Sequence, residues 1–195
     1  VFIDLRKIMH LIDRFQPQIV ICMGGGLCFS QEDSQELKSR GILLLGITLS
    51  DPDVQESIIG HVGLFDFHTT NSNLALEKYR EAGIRNTVLF PFGIDSGYIT
   101  AKVPPAPEFQ ADVICLGHAV NRPERQLMME RLAREFKVRA YGLGWQLPGA
   151  ERVTGQRMIQ ASREGRIHIN FANTLAGYVN VKVGVFESIG NGAVL

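Results

Sequence analysis

The sequence predicts an α/β protein of two halves, each built on an open parallel sheet, and three observations carry that expectation. Apolar runs of strand length, at Gln18 to Met23, Ile42 to Ile47, Thr87 to Phe90 and Asp112 to Leu116, are continuous rather than alternating, as strands covered on both faces are. Helix-compatible stretches separate them, so strand and helix signals alternate along the chain. Residues 102 to 110 hold Pro104, Pro105 and Pro107 with no hydrophobic period, which reads as a stiff linker. The expected division is a first α/β domain over 1–101, the linker over 102–110 and a second α/β domain over 111–195.

Each element has its own reason. Leu5, Ile8, Met9, Ile12 and Phe15 recur at helical spacing, and Pro17 stops that helix. The first strand follows and runs into Gly24, Gly25 and Gly26. A polar helix at Asp33 to Ser39 is ended by Gly41, the second strand follows, and Asp51, Pro52 and Asp53 form a turn. Val62 to Phe67 is read as a third strand, ending in His68. Asn71 or Ser72 caps a helix that runs to Glu81 and stops at Gly83, before the fourth strand. Past the prolines the alternation restarts: a strand to Leu116, a helix from Pro123 to Phe136, a strand at Val138 to Tyr141, a helix at Thr154 to Glu164 and a strand at Ile167 to Phe171. A helix carrying Glu187 and a last strand at Ala193 close the chain. A chain that opens directly on a helix, with 195 residues for two such domains, is expected to be a truncated piece.

Composition narrows the function classes. Twenty basic residues balance twenty acidic ones, so no overall field draws the chain to nucleic acid or an anionic membrane, and any anion must be held locally. Three cysteines, two of them within apolar runs, suit a reduced, cytoplasmic setting, and Cys22 and Cys28 have no second pair to complete a zinc site. No apolar run reaches the length of a membrane helix.

The residues that carry chemistry are few. Glu187 lies near the wall of a sheet, where a carboxylate facing the crevice can accept both hydroxyls of a ribose; a solvated helix glutamate has the same spacing. The glycines at 24 to 26 can let backbone amides approach a phosphate or sugar, and they equally serve a tight turn. His68 and Asp51, with His61 behind them, are the candidates for a general base, although a lone histidine at a strand end is commonly structural. Asp51, Pro52 and Asp53 match the metal-binding D-x-D pattern in form, but Pro52 makes a turn or an acceptor-side loop the better reading, and no metal is expected. Neither glycine cluster continues as the G-x-G-x-x-G of a dinucleotide-binding oxidoreductase.

Taken in order, the segments Asp66 to Asp95, Asp112 to Trp145 and the terminal FESIGNGAVL resemble glycosyltransferases of the architecture with two Rossmann-like domains, GT-B, and most of all the spore-maturation CgeB-like enzymes. The resemblance spans about residues 45 to 195. It implies a metal-independent transferase that moves a sugar from a nucleotide-diphosphate donor to an unknown acceptor in the cleft between the domains. The nucleotide sugar is then a substrate, and no cofactor is implied. On that resemblance Gly117 and His118 lie beside the donor diphosphate, with Arg122 and Arg125 at the start of the next helix, where backbone N–H groups already favour phosphate. Gly142, Gly144 and Trp145 form the turn that holds the base, although a lone Trp is also a packing residue. Glu187 takes the ribose. Two positions depart from the pattern: Val179 stands where many GT-B enzymes have a second glutamate, and Gly184 stands where a basic residue is usual, with Lys182 two residues earlier. These departures leave room for a degenerate module that binds a nucleotide or glycan without turnover.

Overall fold

The computed structural model describes residues 5–24, 30–174 and 176–194; Gly25, Gly26 and Cys28 fall outside them. The chain forms two compact units, one of Val1–Pro91 with Thr174–Asn180, the other of Phe92–Asn173 with Val181–Leu195. Among the described residues no helix is long and apolar enough to cross a membrane.

The first unit is a four-stranded parallel sheet whose strands lie in chain order: β1 (Ile19–Met23), β2 (Leu43–Thr48), β3 (Phe67–Thr70) and β4 (Thr87–Leu89). Its register aligns Cys22, Gly46, His68 and Thr87 across the sheet. Helix α1 (Leu5–Phe15) precedes β1, and α2 (Gln31–Ser39), α3 (Gln55–Val62) and α4 (Asn73–Glu81) connect the strands. Right-handed crossovers that always step in one direction place every such helix on the same face. Accordingly Ile8, Met9 and Ile12 of α1 and Leu37 of α2 pack with Cys22 and Leu44. Tyr79 of α4 meets the His68 ring edge-on at 5.3 Å.

Helix starts follow the expected chemistry. Ser30 and Asp33 close a reciprocal cap on α2, and Ser72 Oγ accepts the Ala75 N–H to begin α4. One expectation is corrected. Val62 to Phe67 is not a strand: α3 runs through Val62, and β3 begins only at Phe67. Ile58 and Val62, four residues apart, bury together with Ala75 and Tyr79, and Phe65 turns into the α1–α2 core. A short apolar run serves a helix or a strand equally well, and here it divides into a helix end at Val62, a turn, and the start of β3 at Phe67.

In the second unit three parallel strands, β5 (Ala111–Leu116), β6 (Val138–Tyr141) and β7 (Gly165–His168), lie in the order β6-β5-β7. Between β5 and β6 runs α6 (Pro123–Leu132), and between β6 and β7 runs α7 (Gln156–Glu164). Cys115 and Ala140 pack with Met129 of α6 on one face, while Ile114 packs with Ala161 of α7 on the other. The sheet is therefore covered on both sides. Two short elements, α5 (Ser96–Thr100) and a 3-10 turn at Pro107–Phe109, precede β5, and α8 (Val183–Gly190) follows β7.

The proline-rich residues expected as a linker pack within this unit. Ala106 and Phe109 are buried, and the Phe109 ring meets Tyr141 edge-on at 5.8 Å. Burial of one aromatic ring outweighs the local stiffness of the prolines around it. At the far end, Val194 makes a single bridge to Ile167 where a closing strand was expected.

Candidate functional site

The strand order of the second unit locates its crevice. From β5 the chain steps out to β6, then crosses back to β7 on the other side of β5, so the winding reverses between β5 and β7. Ligands of open α/β sheets sit beyond the carboxyl ends of the strands at such a reversal. The residues there are Gly117 and His118 after β5, Asn170 and Phe171 after β7, and the first turn of α8.

Backbone packing shapes this edge. A Cβ on Gly142 would lie 2.0 Å from the Gly117 carbonyl oxygen, and Gly142 has φ +144°, so the turns after β5 and β6 touch main chain to main chain. Trp145 braces the same pair: its indole N–H donates to the Gly117 carbonyl at 2.8 Å, and its ring packs on the α6 side. Its one polar group is thus occupied, and the residue packs rather than presenting an open platform for a base.

Arg125, in the first turn of α6, reaches back over the same edge. Its Nη1 donates to the His118 carbonyl at 2.9 Å, and its guanidinium stands over the Phe171 ring at 5.1 Å. Nε is buried with no partner among the described residues. Burial, and then the neighbouring Arg122, press its pKa down, which marks a site short of negative charge. Arg122 is the N-cap residue of α6 and pairs with Glu124 at 3.7 Å.

The expected donor residues divide between two cavities. Gly117, His118 and Gly142, with Tyr141, Arg152 and Met158, line one of about 310 Å³. Arg122, with Asn121, Gln126 and Gly144, lines another of about 450 Å³. Lys182 is the N-cap residue of α8, and Glu187 lies in that helix's second turn. Glu187 is half-buried, and among the described residues nothing hydrogen-bonds or ion-pairs its carboxylate. Burial pushes its pKa up, and its charge in turn helps to raise that of the Tyr98 phenol, which burial raises first.

In α8, Asn191 Nδ2 donates to the Glu187 carbonyl, while Arg163 Nε donates to Asn191 Oδ1 at 3.0 Å. The other nitrogens of Arg163 donate to the carbonyls of Ala101, Ile99 and Tyr98. The C-terminus of α8 is thus tied to α5. Tyr98, Arg163, Asn170 and Phe171 were not visible as site residues. Their only sequence signal was position after a strand or in a short polar helix.

The first unit treats its candidates differently. His68 is fully buried, with Nε2 2.9 Å from Thr48 Oγ1 and Nδ1 3.1 Å from Thr87 Oγ1; burial lowers its pKa to about 4. Asp51 is 1% exposed. Its carboxylate accepts the Thr70 hydroxyl at 2.5 Å and the Tyr79 hydroxyl at 3.2 Å; burial raises its pKa and these bonds oppose the rise. Its carbonyl accepts Asn180 Nδ2 at 2.6 Å, Asp53 Oδ1 accepts the Ala176 N–H, and Lys78 donates to the Tyr178 hydroxyl. Segment 174–180 is held against the first unit in this way. Neither His68 nor Asp51 presents a free atom to a reactant, contrary to the expectation of a general base. Gly24 ends β1 with φ +108°, its N–H donating to the Ile47 carbonyl; its neighbours Gly25 and Gly26 lie outside the described residues.

No protein-family model and no curated protein matches the sequence. Among solved structures, the fold is similar to a GT-B structure from E. coli, trehalose-6-phosphate bound with UDP-2-fluoro glucose, with a TM-score of 0.60 at 13% identity. The match covers 96% of this chain and 60% of that one, so the chain spans well under two thirds of its neighbour's length. The fold is thus GT-B, two Rossmann-like units with parallel sheets.

Proposed function

We propose that this chain is the nucleotide-sugar-binding part of a metal-independent glycosyltransferase of the CgeB-like kind, with the donor in the second unit and an acceptor still to be identified. One observation carries the reading: a half-buried carboxylate without a partner, on the helix that begins at the winding reversal of a doubly covered sheet. A carboxylate kept partly out of water is destabilised until something donates to it, and the two hydroxyls of a ribose are a fitting pair of donors. The N-terminus of α8 and the guanidinium of Arg125 supply positive potential for the diphosphate. Transfer of the sugar leaves charge on that diphosphate, and donors held in place before reaction lower the barrier without reorganising. The order of segments along the chain supports the CgeB-like assignment. The similarity to a structure bound with UDP-2-fluoro glucose supports the donor class.

Calorimetric titration of UDP-glucose, GDP and ADP into the protein tests this. We expect one of the three to bind, and Glu187→Ala to weaken that binding about 100-fold. No binding of any of them, or binding indifferent to Glu187, would sink the reading. A second reading, binding without turnover, draws on the enclosure of His68 and Asp51, the first unit's two leading candidates for a base. Nucleotide binding with neither hydrolysis nor transfer would favour it.

A further inference from the structure

His168, the last residue of β7, is 2% exposed, and both its ring nitrogens are engaged. Nε2 lies 2.8 Å from the Ser162 carbonyl, which can only accept, so that nitrogen carries a proton. Nδ1 lies 2.7 Å from Ser188 Oγ, on the helix that carries Glu187. The same hydroxyl lies 2.7 Å from the Gly184 carbonyl one turn back, and it accepts Asn170 Nδ2 at 3.2 Å. A hydroxyl has a single proton. With a neutral ring, Nδ1 takes that proton, and the Gly184 carbonyl, already an acceptor within the α8 ladder, does not require it. With a charged ring, Nδ1–H donates to Ser188, Ser188 donates to Gly184, and every group is satisfied. Burial outweighs the hydrogen bonds to backbone carbonyls and lowers the ring's pKa, which favours the neutral form. The ring and the seating of α8 are therefore joined through the Ser188 hydroxyl.

The same node explains Gly184. A Cβ there would stand 2.7 Å from Asn170 Oδ1, so a larger residue would push the Asn170 amide away from Ser188. Ser188 makes the attachment, and Glu187 is its neighbour in the chain.

We propose that His168 is a positioning residue for the Glu187 carboxylate: through the Ser188 hydroxyl it seats α8 against the end of β7, so that nucleotide affinity depends on a side chain the ligand does not touch. This rests on the reading of that edge as a nucleotide site. Coupling of this kind is reciprocal, so ligand binding must also act on the ring.

Two measurements test it. In the first, UDP-glucose, GDP and ADP are titrated at a temperature where each protein is folded. Ser188→Ala should weaken the binding seen in the native chain about tenfold, the effect of one lost buried hydrogen bond. In the second, the ring 15N resonances of His168 are followed, and saturating nucleotide should shift the Nδ1 signal. A merely structural histidine would lower the melting temperature of Ser188→Ala, leave its affinity native and show an Nδ1 signal indifferent to ligand; that result overturns the proposal. If Ser188→Ala does not fold, the Nδ1 response of the native chain decides alone. Binding lost in Glu187→Ala but native in Ser188→Ala defeats this inference and leaves the nucleotide site standing. No binding to the native chain defeats both.

Discussion

The two sheets of this protein are wound differently, and the difference decides what each can hold. In the first unit the strands follow chain order, so all four helices lie on one face and the winding never reverses. Ile19, Ile21, Met23, Leu43, Phe67 and Val88 line the other face and are exposed, each leaving on the order of 1 kcal/mol of burial unrealised. In the second unit the winding reverses beside β5, both faces are covered, and a crevice opens at the carboxyl end. Two carboxylates show the consequence. Asp51 is enclosed by Thr70 and Tyr79, its demand for donors met within the fold. Glu187 is only half-buried and has no donor among the described residues. A satisfied buried carboxylate stabilises its surroundings, whereas an unsatisfied one beside a crevice is a candidate for a ligand.

Breaking the crevice itself should have the largest effect. Gly142→Ala drives a methyl into the Gly117 carbonyl from a backbone conformation that suits glycine, and we expect the second unit to lose its cooperative melt, a cost above about 4 kcal/mol. A near-native calorimetric transition would show that the two turns are not in contact.

The paired substitution of the carboxylates is the direct test of the contrast. Glu187→Ala should weaken nucleotide binding about 100-fold with little loss of stability. Asp51→Ala should cost about 3 kcal/mol in urea unfolding and leave affinity unchanged. If the two variants exchange these phenotypes, the assignment of roles fails.

His68 sets a pH signature for the first unit. Its pKa in the fold is about 4 against an ordinary 6.5, so the unfolded chain takes up the proton first. The stability this contributes is complete above pH 6.5 and is lost as pH falls from 6.5 towards 4, on the order of 3 kcal/mol in all. Urea titrations across that window should show the loss in the native chain and a flatter profile in His68→Gln.

The smallest effect sharpens the anion site. Arg125→Lys keeps the charge but loses the planar stack on Phe171 and the directed bond to the His118 carbonyl. We expect nucleotide affinity to fall about tenfold, as read by calorimetry. An unchanged affinity would mean that Arg125 braces the edge without serving the ligand.

Much of the architecture was legible in the residues. Continuous apolar runs placed β1, β2 and β5; Ser72, Gly41 and Gly83 marked helix limits; and Pro123 opened α6. The stretch from Val62 to Phe67 was ambiguous because a few apolar residues suit either period, and only the packing of Ile58 and Val62 against Tyr79 resolved where the helix ends. At the site, residue type was a partial guide. Glu187 was visible as a carboxylate near a sheet wall, and Gly117 and Gly142 as turns after strands. His68 and Asp51 had the right chemistry for a base, but a residue's type does not say whether its atoms are open, and both are closed by hydroxyls 19 or more residues away. Phe171, Asn170 and His168 gave no local signal, since their roles consist of contacts with Arg125, Gly184 and Ser188.

By itself the sequence determined where most helices and the long strands form, because those depend on spacing, caps and side-chain size within a few residues. The tertiary structure alone decided which carboxylate is satisfied and which is left wanting a donor. Desolvation and hydrogen bonding depend on neighbours brought together by the winding of the sheets, and distance along the chain carries almost no record of them.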